Sequence, residues 1–145
     1  MNRREFAAGA LLALALRPVP GLATPEDQAA AIRAFTGGKP LREGRVELDI
    51  PPLVENGNVV PLKVTVQSPM TAANHVTAIA LFNEKNPQPQ VVTAQFGPRA
   101  GRAELATHMR LATSQFITAV AAMSDGSFWS TRQEVIVTLA ACLES

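Results

Sequence analysis

A single cysteine, Cys142, serves the whole chain, and that scarcity removes most uses of the residue at once. One thiol cannot close an internal disulfide, and no zinc-spaced cysteine set exists. Cys142 is therefore a buried hydrophobe, half of an intermolecular bridge, or a reactive thiol. No phosphate-cradling glycine loop, nucleophile elbow, internal repeat or low-complexity tract is present. Ser68, Ser114, Ser124 and Ser127 each adjoin a Pro, Gly, Asp or strand end and read as turn serines, and without a paired base they make no triad. The long apolar stretch, Phe6 to Leu16, has 11 residues. That is roughly half of what a helix needs to cross a bilayer, so no membrane anchor is expected.

What is there begins with an export signal over residues 1–23. Arg3 and Arg4 form a twin-arginine start, Phe6 to Leu16 an Ala/Leu-rich centre, and Gly21-Leu22-Ala23 supplies small residues at the cleavage position. A periplasmic protein exported already folded is expected, and a partner without a signal of its own could travel with it. Removing the signal takes three arginines and one glutamate with it, so the formal charge falls from +1 to −1. A near-neutral domain with no basic face is not expected to bind nucleic acid.

The chain divides into a helix and linker over 24–40 and a β domain over 41–145. Thr24-Pro25-Glu26-Asp27 holds a capping hydroxyl, a first-turn proline and two acids where the helix dipole favours them. The helix is expected to reach Phe35 with Ala29, Ile32 and Phe35 as its apolar stripe, and Gly37-Gly38 stops it.

Beyond Arg45 the period changes to two. Val46, Leu48 and Ile50 alternate with Glu47 and Asp49, and Val60, Leu62, Val64 and Val66 share the face of a second strand after an Asn56-Gly57 turn. Further strands are expected over 75–82, 90–96, 103–111, 115–123 and 131–139. Seven short strands without interleaved helices describe an all-β, immunoglobulin-like antiparallel sandwich carrying a short N-terminal helix, with an antiparallel barrel as the alternative. Phe116, Phe128 and Trp129 read as core, and Glu104, Asp125 and Glu134 as solvated.

Three kinds of chemistry remain open. His75 and His108, with Met70, Met109 and Met123, could form a soft copper site, although hydrogen-bonded structural histidines are the commoner case and the spacing is not compact. Cys142 could be structural or bridged in a non-carrier assembly subunit. Or it could be an accessible working thiol, as its place near the chain end favours. A free thiol has a pKa of about 8.5, so only a small share is thiolate at neutral pH, and Glu144 raises rather than lowers that value. Such a thiol needs a partner to activate it.

The residues Glu55-Asn56-Gly57 followed by Val60-Pro61, Ser68-Pro69-Met70-Thr71, His75-Val76, Leu81-Phe82, Glu84-Lys85-Asn86-Pro87, Gly126-Ser127-Phe128-Trp129 and Val137-Thr138 leading to Cys142 resemble the SoxY family of sulfur-oxidation carriers. The resemblance spans nearly all of the chain after the signal. It implies an immunoglobulin-like subunit that pairs with a SoxZ-like subunit and holds sulfur intermediates on Cys142, first as a cysteine S-thiosulfonate made from thiosulfate. It implies no cofactor and no catalysis by the carrier itself. A periplasmic cytochrome makes the conjugate, a hydrolase removes sulfate, and in some systems a molybdenum enzyme oxidises the remaining sulfur. The family ending sets cysteine between glycine pairs, whereas here Ala140 and Ala141 precede it and Leu143 and Glu144 follow, which stiffens the arm.

Overall fold

The computed structural model describes residues 22–139. Its first element is helix α1, Pro25–Thr36. The expected cap is a full capping box: Asp27 N–H donates to the Thr24 hydroxyl, and Thr24 N–H donates back to the Asp27 carboxylate. Gly37, at φ 66°, ends the helix in the left-handed region that a Cβ disfavours. Thr24→Ala is expected to lower stability by about 1 kcal/mol in urea unfolding, with the amides of the first helical turn exchanging faster.

Nine strands follow rather than seven. They are β1 Leu41–Glu43, β2 Val46–Asp49, β3 Leu53–Asn56, β4 Val60–Val66, β5 Val76–Asn83, β6 Gln90–Gln95, β7 Ala103–Met109, β8 Gln115–Met123 and β9 Phe128–Leu139. The larger sheet has six strands in the order β1-β9-β8-β5-β6, with β3 also on β9, and the smaller has the order β2-β4-β7. The two sheets make an immunoglobulin-like sandwich. Most pairs are antiparallel, but β1 and β3 both pair with β9 in parallel, which amends the purely antiparallel expectation. Neither carries a burial alternation that marks a strand: β1 is exposed at every residue, and β3 contributes only Val54 to the interior. Partners distant in sequence make them strands.

Alternation explains β4, where Val60, Leu62, Val64 and Val66 are buried while Pro61 and Lys63 face out. Strand β5 breaks that pattern, with Ile79, Ala80, Leu81 and Phe82 all fully buried. A strand covered on both faces reads as a continuous apolar run. Ile79 and Leu81 enter the main core between the sheets. Ala80 and Phe82 pack on the outer face with Val120 beneath Ala31, Ile32, Phe35 and Phe128. The helix thus docks through Gln28, Ala31, Ile32 and Phe35, and Ala29, placed on the stripe by sequence, is exposed.

The aromatic residues divide between these surfaces. Phe128 joins the layer under α1, meeting Phe35 edge-on at 5.9 Å. Trp129 lies against the main core and is covered by the guanidinium groups of Arg42 and Arg45, 5.7 and 4.5 Å from its ring. Phe116 is half-buried beneath Arg132, whose guanidinium sits 3.8 Å from the ring centre.

Candidate functional site

Strand β9 ends at Leu139, three residues before Cys142. Ala140, Ala141, Cys142, Leu143 and Glu144 lie outside the described residues, as do residues 1–21 of the expected signal. The structure therefore defines the root from which the cysteine segment leaves.

That root is held on both edges. On one, β3 runs beside β9 with Leu53 opposite Ile136, Val54 opposite Val137 and Asn56 opposite Leu139. Ile136 N–H donates to Pro52 O at 2.8 Å, and Gly57 N–H to Leu139 O at 3.0 Å. Gly57 O in turn accepts Leu111 N–H at 2.8 Å, tying the turn after β3 to the chain before β8. The Thr138 hydroxyl donates to Glu55 O at 3.3 Å.

On the other edge the ladder between β8 and β9 stops at Gln115 opposite Val135. Ser114 continues it with a side chain: its hydroxyl accepts Val137 N–H at 2.8 Å and reaches Val137 O at 3.4 Å. A serine read from sequence as a turn residue thus replaces one rung of backbone pairing. Ser114→Ala is expected to cost about 1 kcal/mol by removing that bond. Hydrogen exchange should locate the loss at the Val137 amide, with little change at Val120 in the sheet centre.

Adjoining the root lies a polar network that joins the segment between β5 and β6 to the start of β8, where sequence reading placed no interaction. Asn86 Oδ1 accepts Ala112 N–H at 3.0 Å and Gln115 Nε2–H at 2.9 Å, and its Nδ2–H donates to Arg110 O at 2.6 Å. Gln115 Oε1 accepts Glu84 N–H at 3.2 Å and Lys85 N–H at 2.9 Å. Glu84, buried at 5% exposure, accepts Phe116 N–H at 2.9 Å and lies 3.4 Å from Arg132. This is the one ion pair among the described residues. The spacing of Asn83 and Asn86 was the available signal, since Asn86 N–H donates to Asn83 Oδ1 at 3.0 Å in a turn of the kind asparagine favours.

The other candidates are placed apart from this root. His75 is half-buried with Nδ1 3.0 Å from Thr71 O, whereas His108 is exposed on β7. Met109, next to His108, is buried on the opposite face of the same strand, so the two do not converge. Met70 Sδ accepts Val76 N–H at 3.5 Å, and Met123 is buried in the main core. No three His, Cys, Asp or Glu side chains among the described residues gather to hold a metal ion. Ser68, Ser124 and Ser127 serve turns, accepting Met70 N–H, His75 N–H and Trp129 Nε1–H. The Ser127 hydroxyl and N–H also hold the Asp125 carboxyl below its ordinary pKa. A cleft of about 590 Å³ between α1 and the outer sheet face is lined by residues including Gln28, Glu43, Thr118 and Arg132, and none from the root. Among the described residues no helix is long and apolar enough to cross a membrane.

Comparison with known proteins adds the family. No curated protein sequence matches the chain. Among solved structures, the sulfur carrier protein SoxY from Chlorobium limicola f. thiosulfatophilum is 27% identical with a TM-score of 0.68, covering 80% of this chain and 100% of its own. A superoxide reductase (neelaredoxin) from Ignicoccus hospitalis is 17% identical at TM-score 0.58, covering 80% of this chain and 94% of its own. A superoxide reductase from Nanoarchaeum equitans is 12% identical at TM-score 0.55, covering 66% and 100%. At those identities the two reductases share the fold alone. The family described as sulfur oxidation protein SoxY matches residues 32–142, running from α1 through every strand and ending on the cysteine, and the chain belongs to that family.

Proposed function

We propose that the protein is a periplasmic covalent sulfur carrier that holds its cargo on the Cys142 thiol. The observation that carries this is the family match, whose last residue is Cys142, together with a structural relative of the same family that is a sulfur carrier. The fixed root of β9 supports it, because a carrier must present its thiol from a defined position. A chain of three residues spans at most about 10 Å, so the thiol stays close to the body of the domain.

The first loading step joins the Cys142 thiolate to the outer sulfur of thiosulfate. A sulfur–sulfur bond forms, the thiol proton goes to solvent, and two electrons leave to the haem groups of a periplasmic cytochrome, giving a cysteine S-thiosulfonate. The carrier supplies neither the oxidant nor a catalytic base. A hydrolase and a molybdenum enzyme would act on the loaded thiol, and a SoxZ-like subunit would complete the carrier. Catalysis stays with those partners.

Export by the twin-arginine route belongs to the same proposal. Ala23, at the expected cleavage position, is buried, and its N–H donates to Asn86 O at 2.9 Å. Cleavage after it gives up that bond but leaves the Thr24 amino group 2.8 Å from the Asp27 carboxylate, where a positive chain start is favoured.

Intact-mass measurement after incubation with thiosulfate and the cytochrome tests the carrier role. One thiosulfonate adduct per chain is expected, and its absence under turnover conditions would remove the proposal. Iodoacetamide should alkylate Cys142 rapidly in the native protein. Protection that vanishes on unfolding would instead favour a structural cysteine.

A further inference from the structure

The cleft between α1 and the outer sheet face holds polar atoms that the fold itself leaves without partners. Gln28 and Thr118, both lining it, are each 6% exposed. The Gln28 Nε2–H donates to Phe116 O at 3.5 Å, and an amide turned that way has its oxygen left over. Neither Gln28 Oε1 nor the Thr118 hydroxyl has a hydrogen-bond partner among the described residues, whereas buried polar groups are normally paired. No unpaired side-chain nitrogen or oxygen among those residues is sealed from solvent, so both atoms open onto the cleft. Glu43 stands exposed at its mouth, opposite Ser130, and its carboxylate has neither an ion pair nor a hydrogen bond among the described residues. Arg132, also in the lining, is engaged by Glu84 at 3.4 Å and stacked on Phe116. Glu43 and Glu84 against one guanidinium leave one negative charge uncompensated. Arg33 and Lys39 line a separate hollow past Ile32 and Leu41, and Lys39 Nζ turns to Gly126 O at 3.4 Å.

We propose that this cleft binds a short aliphatic amino alcohol, with its ammonium at Glu43 and its hydroxyl at Gln28 and Thr118. An ammonium brings three donors and no acceptor, which suits the unpaired carboxylate and the Ser130 hydroxyl beside it. A hydroxyl both donates and accepts, so it satisfies Gln28 Oε1 and the Thr118 hydroxyl together. Strand register sets the length between these ends. Thr118 lies opposite Arg132 on one side of β9, Glu43 lies opposite Ser130 on the other, and all four side chains share the outer face. Two strand spacings across and two residues along put the Glu43 and Thr118 Cα atoms about 12 Å apart. Side chains that stand off the sheet shorten that span little, and a hydrogen bond of about 2.8 Å at each end leaves roughly 6 Å, the length of about four carbons with their two heteroatoms. The volume of about 590 Å³ is ample, and Ile32 and Leu41 offer the carbon chain an apolar wall. No residue at the root of the cysteine segment takes part, so the site is independent of the carrier role.

Titration of the full-length protein with 4-amino-1-butanol, followed by NMR and calorimetry, tests the site. Saturable binding is expected, with shifts at Thr118, Ser130 and the Gln28 side-chain amide. Butylamine and 1-butanol each lack one end and are expected to bind roughly tenfold more weakly or less. Glu43→Gln should weaken the amino alcohol roughly tenfold and leave 1-butanol unchanged, while Thr118→Val should weaken the amino alcohol and leave butylamine unchanged. Glu43 is exposed and the Thr118 hydroxyl bonds nothing in the protein, so both variants should fold, which thermal unfolding checks. Shifts that grow without saturating, or equal affinity for all three compounds, would overturn the proposal. Saturable binding that both substitutions leave intact would place the ligand elsewhere and overturn it as well.

Discussion

Cys142→Ala is expected to abolish the thiosulfonate adduct completely, leaving the intact mass unchanged after any length of incubation with thiosulfate and the cytochrome. The effect is all-or-none because the chain has one cysteine and no second thiol can take over. In the proposed carrier role the thiolate sulfur is the attacking atom, and neither alanine nor a serine hydroxyl replaces it at neutral pH. Stability should be untouched, since β9 is held up to Leu139 by β3 and Ser114, before the cysteine is reached. An equal adduct on the alanine variant would place the modification elsewhere and end the carrier proposal. The rate of conjugation on the wild type should rise with pH as the thiolate fraction grows, until the cytochrome's own titration intervenes.

The second large effect is on stability. Gln115→Ala is expected to destabilise the domain by about 3–5 kcal/mol, because it removes acceptors and donors at several buried groups, each costing about 1–3 kcal/mol when left unpaired. Gln115 is 3% exposed and bonds Glu84 N–H, Lys85 N–H, Asn86 Oδ1 and Thr113 O. In thermal unfolding this corresponds to a fall in Tm of roughly 10–20 °C for a domain of this size. Gln90→Ala serves as the comparison: its side chain makes one exposed bond, to the Thr93 hydroxyl, so a change within about 0.5 kcal/mol is expected. Equal effects at the two positions would show that the network beneath β9 contributes little. Because Gln115 adjoins Ser114, its loss should also speed exchange at the Val137 amide, linking stability to the precision of the root.

Glu84 shows how position decides the role of an ion pair here. Arg132 is 54% exposed at its side chain, while that of Glu84 is 7% exposed. The exposed partner limits what the attraction contributes. The carboxylate's bond to Phe116 N–H, inside the fold, fixes the start of β8. Sequence alone presents Glu84 as one charge in the stretch between two expected strands, because nothing local to it records a partner 32 residues away.

What the sequence determined by itself was everything carried by neighbours two to four residues apart. The capping residues of α1, the alternation in β2 and β4, the turns at Gly57 and Gly126, and the position of the lone cysteine all follow from such local patterns. Its family motifs reached the same assignment as the match over residues 32–142. Only the tertiary structure decided that Leu41–Glu43 and Leu53–Asn56 are strands, since each is stabilised by parallel pairing to β9 rather than by its own pattern. It alone brought Thr138 to Val54, 84 residues apart in the chain, and set Ser114 against Val137. Leu53 and Ile136 share one face for the same reason: each is an ordinary exposed apolar residue in its own segment, and they become neighbours only because parallel pairing of β3 with β9 sets them side by side.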